Sequence, residues 1–310
     1  MNSPLVRVIL ATVGGYMLIL LGLSVHDWYK REYPRPPDAP LSQARIQYPF
    51  YHRRAVDSLR RFSQLPDPER RAIVKSLESA MVTMEEWLTL LDRSGCQMVC
   101  LGECHEESTR RFLSEALFAK FRVDLLLLET TPHELAHLMK MMRAGRRYYP
   151  LLGADIMSVL RSVRSLNTDV TIYGIEETDH QQMQAKGIGG SPDRSMARNV
   201  WRHFQPGRRH VILVGRLHSM KDSDWLFGCL RGEAPDPLKH RMVNACVLGE
   251  HQNGPLEALL FFMDEAGIGP QTKAFVIPDT RAFCPRLRKW FPTLDSQLLE
   301  QYRTLIVFRG

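Results

Sequence analysis

Two histidines in this chain each follow a glycine by three positions, in Gly102-Glu103-Cys104-His105 and in Gly215-Arg216-Leu217-His218. Each segment closes a short apolar run, Gln97–Leu101 for the first and His210–Val214 for the second. An imidazole at a strand end can act as a general base or a metal ligand. Carboxylates beside it can complete a metal shell, orient the ring or polarise a water. Glu103 lies within the first segment, Glu129 directly follows four leucines, and Glu176 and Glu177 follow the run that ends at Ile175. A glycine three residues ahead of each histidine would let the backbone turn sharply and approach a ligand. One such histidine reads as a hydrogen-bonded loop residue. Two at equivalent positions, with Glu103 and Glu129 beside them, read as a site.

Other residues could extend that chemistry. The run Asp193-Arg194-Ser195-Met196-Ala197-Arg198-Asn199 opens a helix, and Arg194 at its start could reach an anionic group or simply face solvent. Glu176, Glu177 and Arg194 are therefore the expected substrate-binding residues, with Glu103, His105, Glu129 and His218 as the catalytic set and His105 and His218 as the expected ligands of any metal. The Gly187, Gly189, Gly190 stretch reads as a connection or a lid. His133-Glu134-Leu135-Ala136-His137 has the H-E-x-x-H form of zinc proteases. Pro132, however, places His133 in the first helical turn, and no third ligand follows at a familiar spacing. The competing reading is an amphipathic helix whose Leu135 and Leu138 face the sheet. Of the six cysteines, none forms a C-x-x-C pair, so they do not read as a structural zinc site. Cys96 and Cys100 are expected to share a strand face, and an even count permits disulfides in an exported chain.

The elements that would position these residues alternate. Helices are expected over 52–64, 67–93, Glu107–Phe121, Pro132–Arg143, Asp155–Leu166 and Asp193–Phe204. Strands are expected at Gln97–Leu101, Val123–Leu128, Asp169–Ile175, His210–Val214, Val243–Leu248, Ala274–Ile277 and Leu305–Phe308. Alternation of this kind predicts an α/β fold, a mostly parallel sheet covered by helices on both faces. In such sheets ligands bind beyond the carboxyl ends of the strands, where the histidines and glutamates fall.

Ahead of this body, Leu5–Val25 is apolar apart from Arg7, long enough to span a bilayer, with Trp28 and Tyr29 at an interfacial position. No cleavage site follows clearly, which favours an uncleaved anchor over a removed signal. The expected organisation is a membrane anchor over 1–30, a proline-rich linker over 31–51 and one α/β domain with a helical N-terminal extension over 52–310, on the non-cytoplasmic side. Lys and Arg total 41 against 34 Asp and Glu. The arginines at 53, 54, 60, 61, 70 and 71 form either a solvated helix face or a surface for anionic lipid. Without a recognised nucleic-acid motif the basic excess does not point to nucleic acid; the expected partners are the bilayer and a small-molecule or peptide ligand.

Taken together, Leu101–His105, Leu127-Leu128-Glu129, Asp193–Asn199 and Val214–His218 resemble, in order and spacing, the superfamily that contains ChaN-type haem-binding proteins, erythromycin esterase-like enzymes and TIKI/TraB-type metalloproteases. The Leu-Gly-Glu opening is more similar to the ChaN and esterase branches. The resemblance covers about residues 96–220 and implies a parallel-rich α/β core in which His105, His218, Glu103 and Glu129 carry function around one pocket. It departs at Leu217, where many relatives have glycine, so the pocket is expected to be narrower here. Three functions follow as expectations. The first is a hydrolase of ester or peptide bonds, using a divalent metal or direct activation of water. The second is a haem-binding protein, with His105 or His218 as axial ligand and Tyr148 and Tyr149 available. The third is a tethered interaction protein whose site has ceased to work.

Overall fold

Short, mostly apolar runs form the centre of the molecule. In the computed structural model, which describes residues 64–145, 156–177, 191–249, 274–282 and 300–308, five strands are buried at every position. These are β1 (Met98–Glu103), β2 (Leu125–Leu128), β4 (His210–Gly215), β5 (Met242–Gly249) and β7 (Thr304–Phe308). Burial on both faces is what makes a parallel strand read as a continuous apolar run. With β3 (Thr171–Gly174) and β6 (Ala274–Ile277) they make a seven-stranded sheet of order β3-β2-β4-β1-β5-β7-β6. Every pairing is parallel except β6 against β7.

The side-chain period of two divides β1 between two cores. Val99 and Leu101 face one, with Leu126, Leu128, Val211 and Leu213 from neighbouring strands. On that side lie α2 (Met84–Arg93), α3 (Glu107–Leu113), α4 (Pro132–Arg143) and α5 (Ile156–Leu166). Met98 and Cys100 face the other, covered by α6 (Pro192–His203) and α7 (Leu226–Glu233). The α/β expectation, a mostly parallel sheet with helices on both faces, therefore holds.

Strand order decides where chemistry can gather. From β1 the chain passes to β2 and out to β3, leaving a gap one strand wide. β4 returns into that gap, in register with β1 from Met98↔His210 to Glu103↔Gly215 and with β2 from Leu125↔His210 to Leu128↔Leu213. The carboxyl ends of β1, β4 and β2 thus stand side by side, and β5 leaves on the far side of β1. This is the kind of switch in strand order beside which open α/β sheets hold their ligands.

Several local expectations are corrected. The helix expected over 67–93 is two helices, α1 (Asp67–Ala80) and α2. Between them Val82 pairs as an isolated bridge with Val276 of edge strand β6. Thr83 then restarts the helix: its hydroxyl accepts from the Glu86 amide at 3.2 Å, and the Glu86 carboxylate accepts from the Thr83 amide at 2.7 Å, a reciprocal capping box. The helix expected over Glu107–Phe121 is α3 followed by a widened π turn, Ser114–Phe118. Cys96 and Cys100 do not share a face: Cys96 lies before β1 begins and packs into the opposite core. None of the five described cysteines is in a disulfide. The expected anchor at Leu5–Val25, the linker, the helix over 52–63, Tyr148, Tyr149, the Gly187–Gly190 stretch and Cys284 lie outside the described residues. Among the described residues no helix is long and apolar enough to cross a membrane.

His210, at the start of β4, is fully buried. Its Nε2 accepts from the Gln205 amide at 3.0 Å and its Nδ1 lies 3.2 Å from the Gln97 carbonyl oxygen, to which it donates. Only a neutral ring satisfies both. Burial holds its pKa below the ordinary value, against the opposing pull of the Gln97 hydrogen bond. The unfolded chain therefore takes up this proton first as pH falls. Stability present above about 6.5, the unperturbed value, is lost as pH drops through it towards the folded value. Denaturant melts at neutral and mildly acid pH should show a smaller acid loss for His210→Gln than for the wild type; equal losses would show that His210 is not a source of acid sensitivity.

Candidate active site

The three adjacent strand ends deliver one connected set of ionic side chains. Glu103 is the last residue of β1, inside the strand and not beyond it as expected, and is 1% exposed. Its Oε1 accepts from Arg110 Nε of α3 at 2.7 Å, and its Oε2 is buried without a hydrogen-bond partner among the described residues. Two residues on, His105 has φ 53°, the only positive φ of a non-glycine residue described. This left-handed conformation costs on the order of 1–3 kcal/mol and tends to occur at functional sites. It turns the ring back over the strand end, where Nδ1 lies 3.4 Å from Glu103 Oε1 and 3.2 Å from a terminal nitrogen of Arg110. Nε2 faces Glu129 Oε2 at 3.6 Å.

Glu129, just past β2, is the centre of the set. Its Oε1 lies 3.3 Å from His218 Nε2, and its Oε2 accepts from the Gly215 amide. His218 sits on the 3-10 turn Arg216–Ser219 that follows β4. Its Nδ1 lies 2.6 Å from Asp193 Oδ1 at the start of α6, and the same oxygen accepts from the Leu226 amide at 2.8 Å. Trp225 meets the His218 ring edge-on at a centroid distance of 5.9 Å. With a carboxylate on each nitrogen, both His218 nitrogens carry protons. Burial pulls its pKa down, but the hydrogen bonds and charges of Asp193 and Glu129 outweigh burial and push it up to about 10. Burial raises the Glu129 carboxyl, and the His218 hydrogen bond, the Gly215 amide and the two imidazoles outweigh that and hold it below the usual carboxylate value.

The paired glycines have a different role from the one expected. Neither has a positive φ, so neither is needed for the turn. Each makes room for the other motif. A Cβ on Gly215 would stand 2.8 Å from His105 Nε2 and 3.4 Å from Glu129 Oε2. A Cβ on Gly102 would stand 2.0 Å from Ser219 Oγ and 2.7 Å from Arg216 Cα, in the turn that carries His218. Glycine in a strand often marks such close approach.

All four expected catalytic residues, Glu103, His105, Glu129 and His218, thus converge. The expected substrate-binding residues do not join them as closely. Glu176 and Glu177 follow β3, the edge strand two places from β4, and are half-buried. Arg194 is exposed on α6 beside Cys229, and its neighbour Asp193 is the residue that reaches the imidazole. Leu217, expected to narrow the pocket, is 45% exposed: the turn sends it into solvent. The H-E-x-x-H segment is a helix start. Glu134 accepts from the Thr131 amide and hydroxyl, both at 3.1 Å, in a capping box, His133 and His137 are exposed, and Leu135 and Leu138 are buried.

Sequence reasoning missed Asp193 and Arg110 as members of the site. Asp193 reads equally well as an acid at the positive end of a helix. Arg110 carried a clearer signal. It occupies the same helical stripe as Leu113, Ser114 and Leu117, all buried, and an arginine on a core-facing stripe needs a buried partner. Arg111, one place on, is exposed and pairs with Glu107 at 2.7 Å.

A divalent metal does not fit this donor set. Such ions need several converging lone pairs, and no group of three or more His, Cys, Asp or Glu side chains among the described residues is arranged to hold one. His218 has Asp193 on Nδ1 and Glu129 on Nε2, and the Arg110 guanidinium stands beside both His105 and Glu103. Compared with family models, curated proteins and solved structures, the chain matches none.

Proposed function

We propose that this chain is a hydrolase of ester or peptide bonds that works through two histidines with divided roles. The observation that carries the reading is the convergence of both imidazoles on the two oxygens of Glu129, the His218 ring held closely by carboxylates at 2.6 and 3.3 Å and the His105 ring more loosely, at 3.4 and 3.6 Å. In this reading His105 transfers the proton. In the tautomer that carries its proton on Nδ1, shared with Glu103, Nε2 presents a lone pair to a water. The water oxygen attacks the carbonyl carbon as its proton moves to Nε2. The bond to the leaving oxygen or nitrogen then breaks, and Nε2 returns the proton to that atom. His218 keeps its proton throughout and supplies a fixed positive charge beside the oxyanion that develops. Asp193 and Glu129 orient it, as a buried carboxylate orients a catalytic imidazole.

The haem-binding alternative uses the same histidines. An axial imidazole must offer iron a lone pair, and of the two histidines the one less closely held by carboxylates, His105, is the better placed to do so. A tether at Leu5–Val25, with the α/β body on the non-cytoplasmic side, belongs to the same proposal and rests on the sequence alone.

The test assays the full chain on panels of p-nitrophenyl esters and short peptides, with and without chelator, and records its absorbance after incubation with haem. Chelator-resistant hydrolysis that falls about 10²–10⁴-fold in His105→Ala, the usual weight of a general base, is the expected result. A Soret band lost in His105→Ala, without hydrolysis of any probe, would replace the reading with haem binding.

A further inference from the structure

We propose that Arg110 is a positioning residue that sets the tautomer of His105, and so decides whether that histidine meets a substrate as acid or base. The catalytic consequence rests on the hydrolase reading; the tautomer itself does not. Arg110 is 8% exposed and bridges two members of the site, with Nε on Glu103 Oε1 at 2.7 Å and a terminal nitrogen 3.2 Å from His105 Nδ1. A guanidinium has five donors and no acceptor. Its contact with Nδ1 is therefore a hydrogen bond only when Nδ1 is unprotonated, which places the ring proton on Nε2, towards Glu129 Oε2 at 3.6 Å. The opposite tautomer is within reach of the same atoms. Glu103 Oε1, 3.4 Å from Nδ1, accepts a proton there once the terminal arm of Arg110 draws away, and Nε2 then becomes the base.

The geometry thus gives His105 Nδ1 two rival partners held by one another: a donor that keeps the ring an acid at Nε2, and an acceptor that makes it a base. The left-handed backbone of His105 keeps Nδ1 within reach of both. Because the guanidinium is a rigid plane, its terminal nitrogen leaves His105 by a swing of the whole group about the Nε contact with Glu103. No proton is gained or lost in the exchange; one leaves Nε2 to the solvent and one arrives at Nδ1.

The experiment is nitrogen-15 NMR of the full chain labelled at histidine, at neutral pH, on the wild type and Arg110→Lys. Lysine keeps a positive charge for Glu103 but has no second arm for His105. The wild type is expected to show His105 mainly as the Nε2–H tautomer. In folded Arg110→Lys the ratio of Nδ1–H to Nε2–H should rise about tenfold or more, the weight of one charge-assisted hydrogen bond. A wild type already in the Nδ1–H form would overturn the proposal, as would an unchanged ratio in the folded variant. If the ratio shifts while His105→Ala leaves ester hydrolysis untouched, Arg110 keeps its role and the hydrolase reading fails.

Discussion

Alanine at Gly102 is expected to destabilise the fold by about 3 kcal/mol, the upper end of ordinary overpacking. The new methyl carbon would lie 2.0 Å from Ser219 Oγ and 2.7 Å from Arg216 Cα. The hydroxyl can rotate away, but the backbone of the turn cannot without moving His218. The strand cannot yield either, since β1 is central, buried at every position and hydrogen-bonded on both sides. For a domain of this size the loss corresponds to a melting temperature lower by roughly 6–12 °C. Gly232→Ala is the control: a Cβ there meets nothing within 4 Å, and alanine is the better helix former in α7. It should be neutral or slightly stabilising. Thermal melts of the two variants check both expectations, and equal behaviour would mean that the two motifs do not pack through their glycines.

The sheet was largely legible because its central strands are apolar on both faces. Leu125–Leu128 and His210–Val214 leave little choice of structure, and histidines or glutamates directly beyond such runs fall at the carboxyl edge of the sheet by construction. That is why Glu103, His105, Glu129 and His218 could be named together. Strand order is another matter. The insertion of β4 between β1 and β2 is a pairing between segments about a hundred residues apart, and nothing in the local pattern announces it. The same holds for the glycines, whose need for space comes from a turn elsewhere in the chain. Other misses were local and could have been read. Thr83-x-x-Glu86 is a helix start in the middle of the expected helix 67–93. Arg110 on an apolar stripe marked a buried counter-charge. Cys96 falls outside the alternation that places Cys100, because β1 begins only at Met98.

His218→Ala is expected to have the second large effect. Removing the imidazolium leaves Asp193, buried, and Glu129 facing each other with no cation between them. Loss of one partner from a buried ionic cluster is strongly destabilising, so the activity of this variant must be read at a temperature where its melt shows it folded. There the loss of a fixed positive charge near the oxyanion predicts a fall in kcat/KM of about tenfold or more, short of the 10²–10³-fold weight of a direct oxyanion donor, because both His218 N–H groups are already given to Asp193 and Glu129. Since Glu129 joins His218 to His105, the two histidines should behave as one machine, and groups that act as a unit are far from additive.

The most direct test is therefore kcat/KM for one ester probe across wild type, His105→Ala, His218→Ala and the double variant, each confirmed folded. The proposed site predicts a double variant about as slow as the slower single variant. Losses that multiply, or single variants as fast as the wild type, would contradict a shared active site built on Glu129.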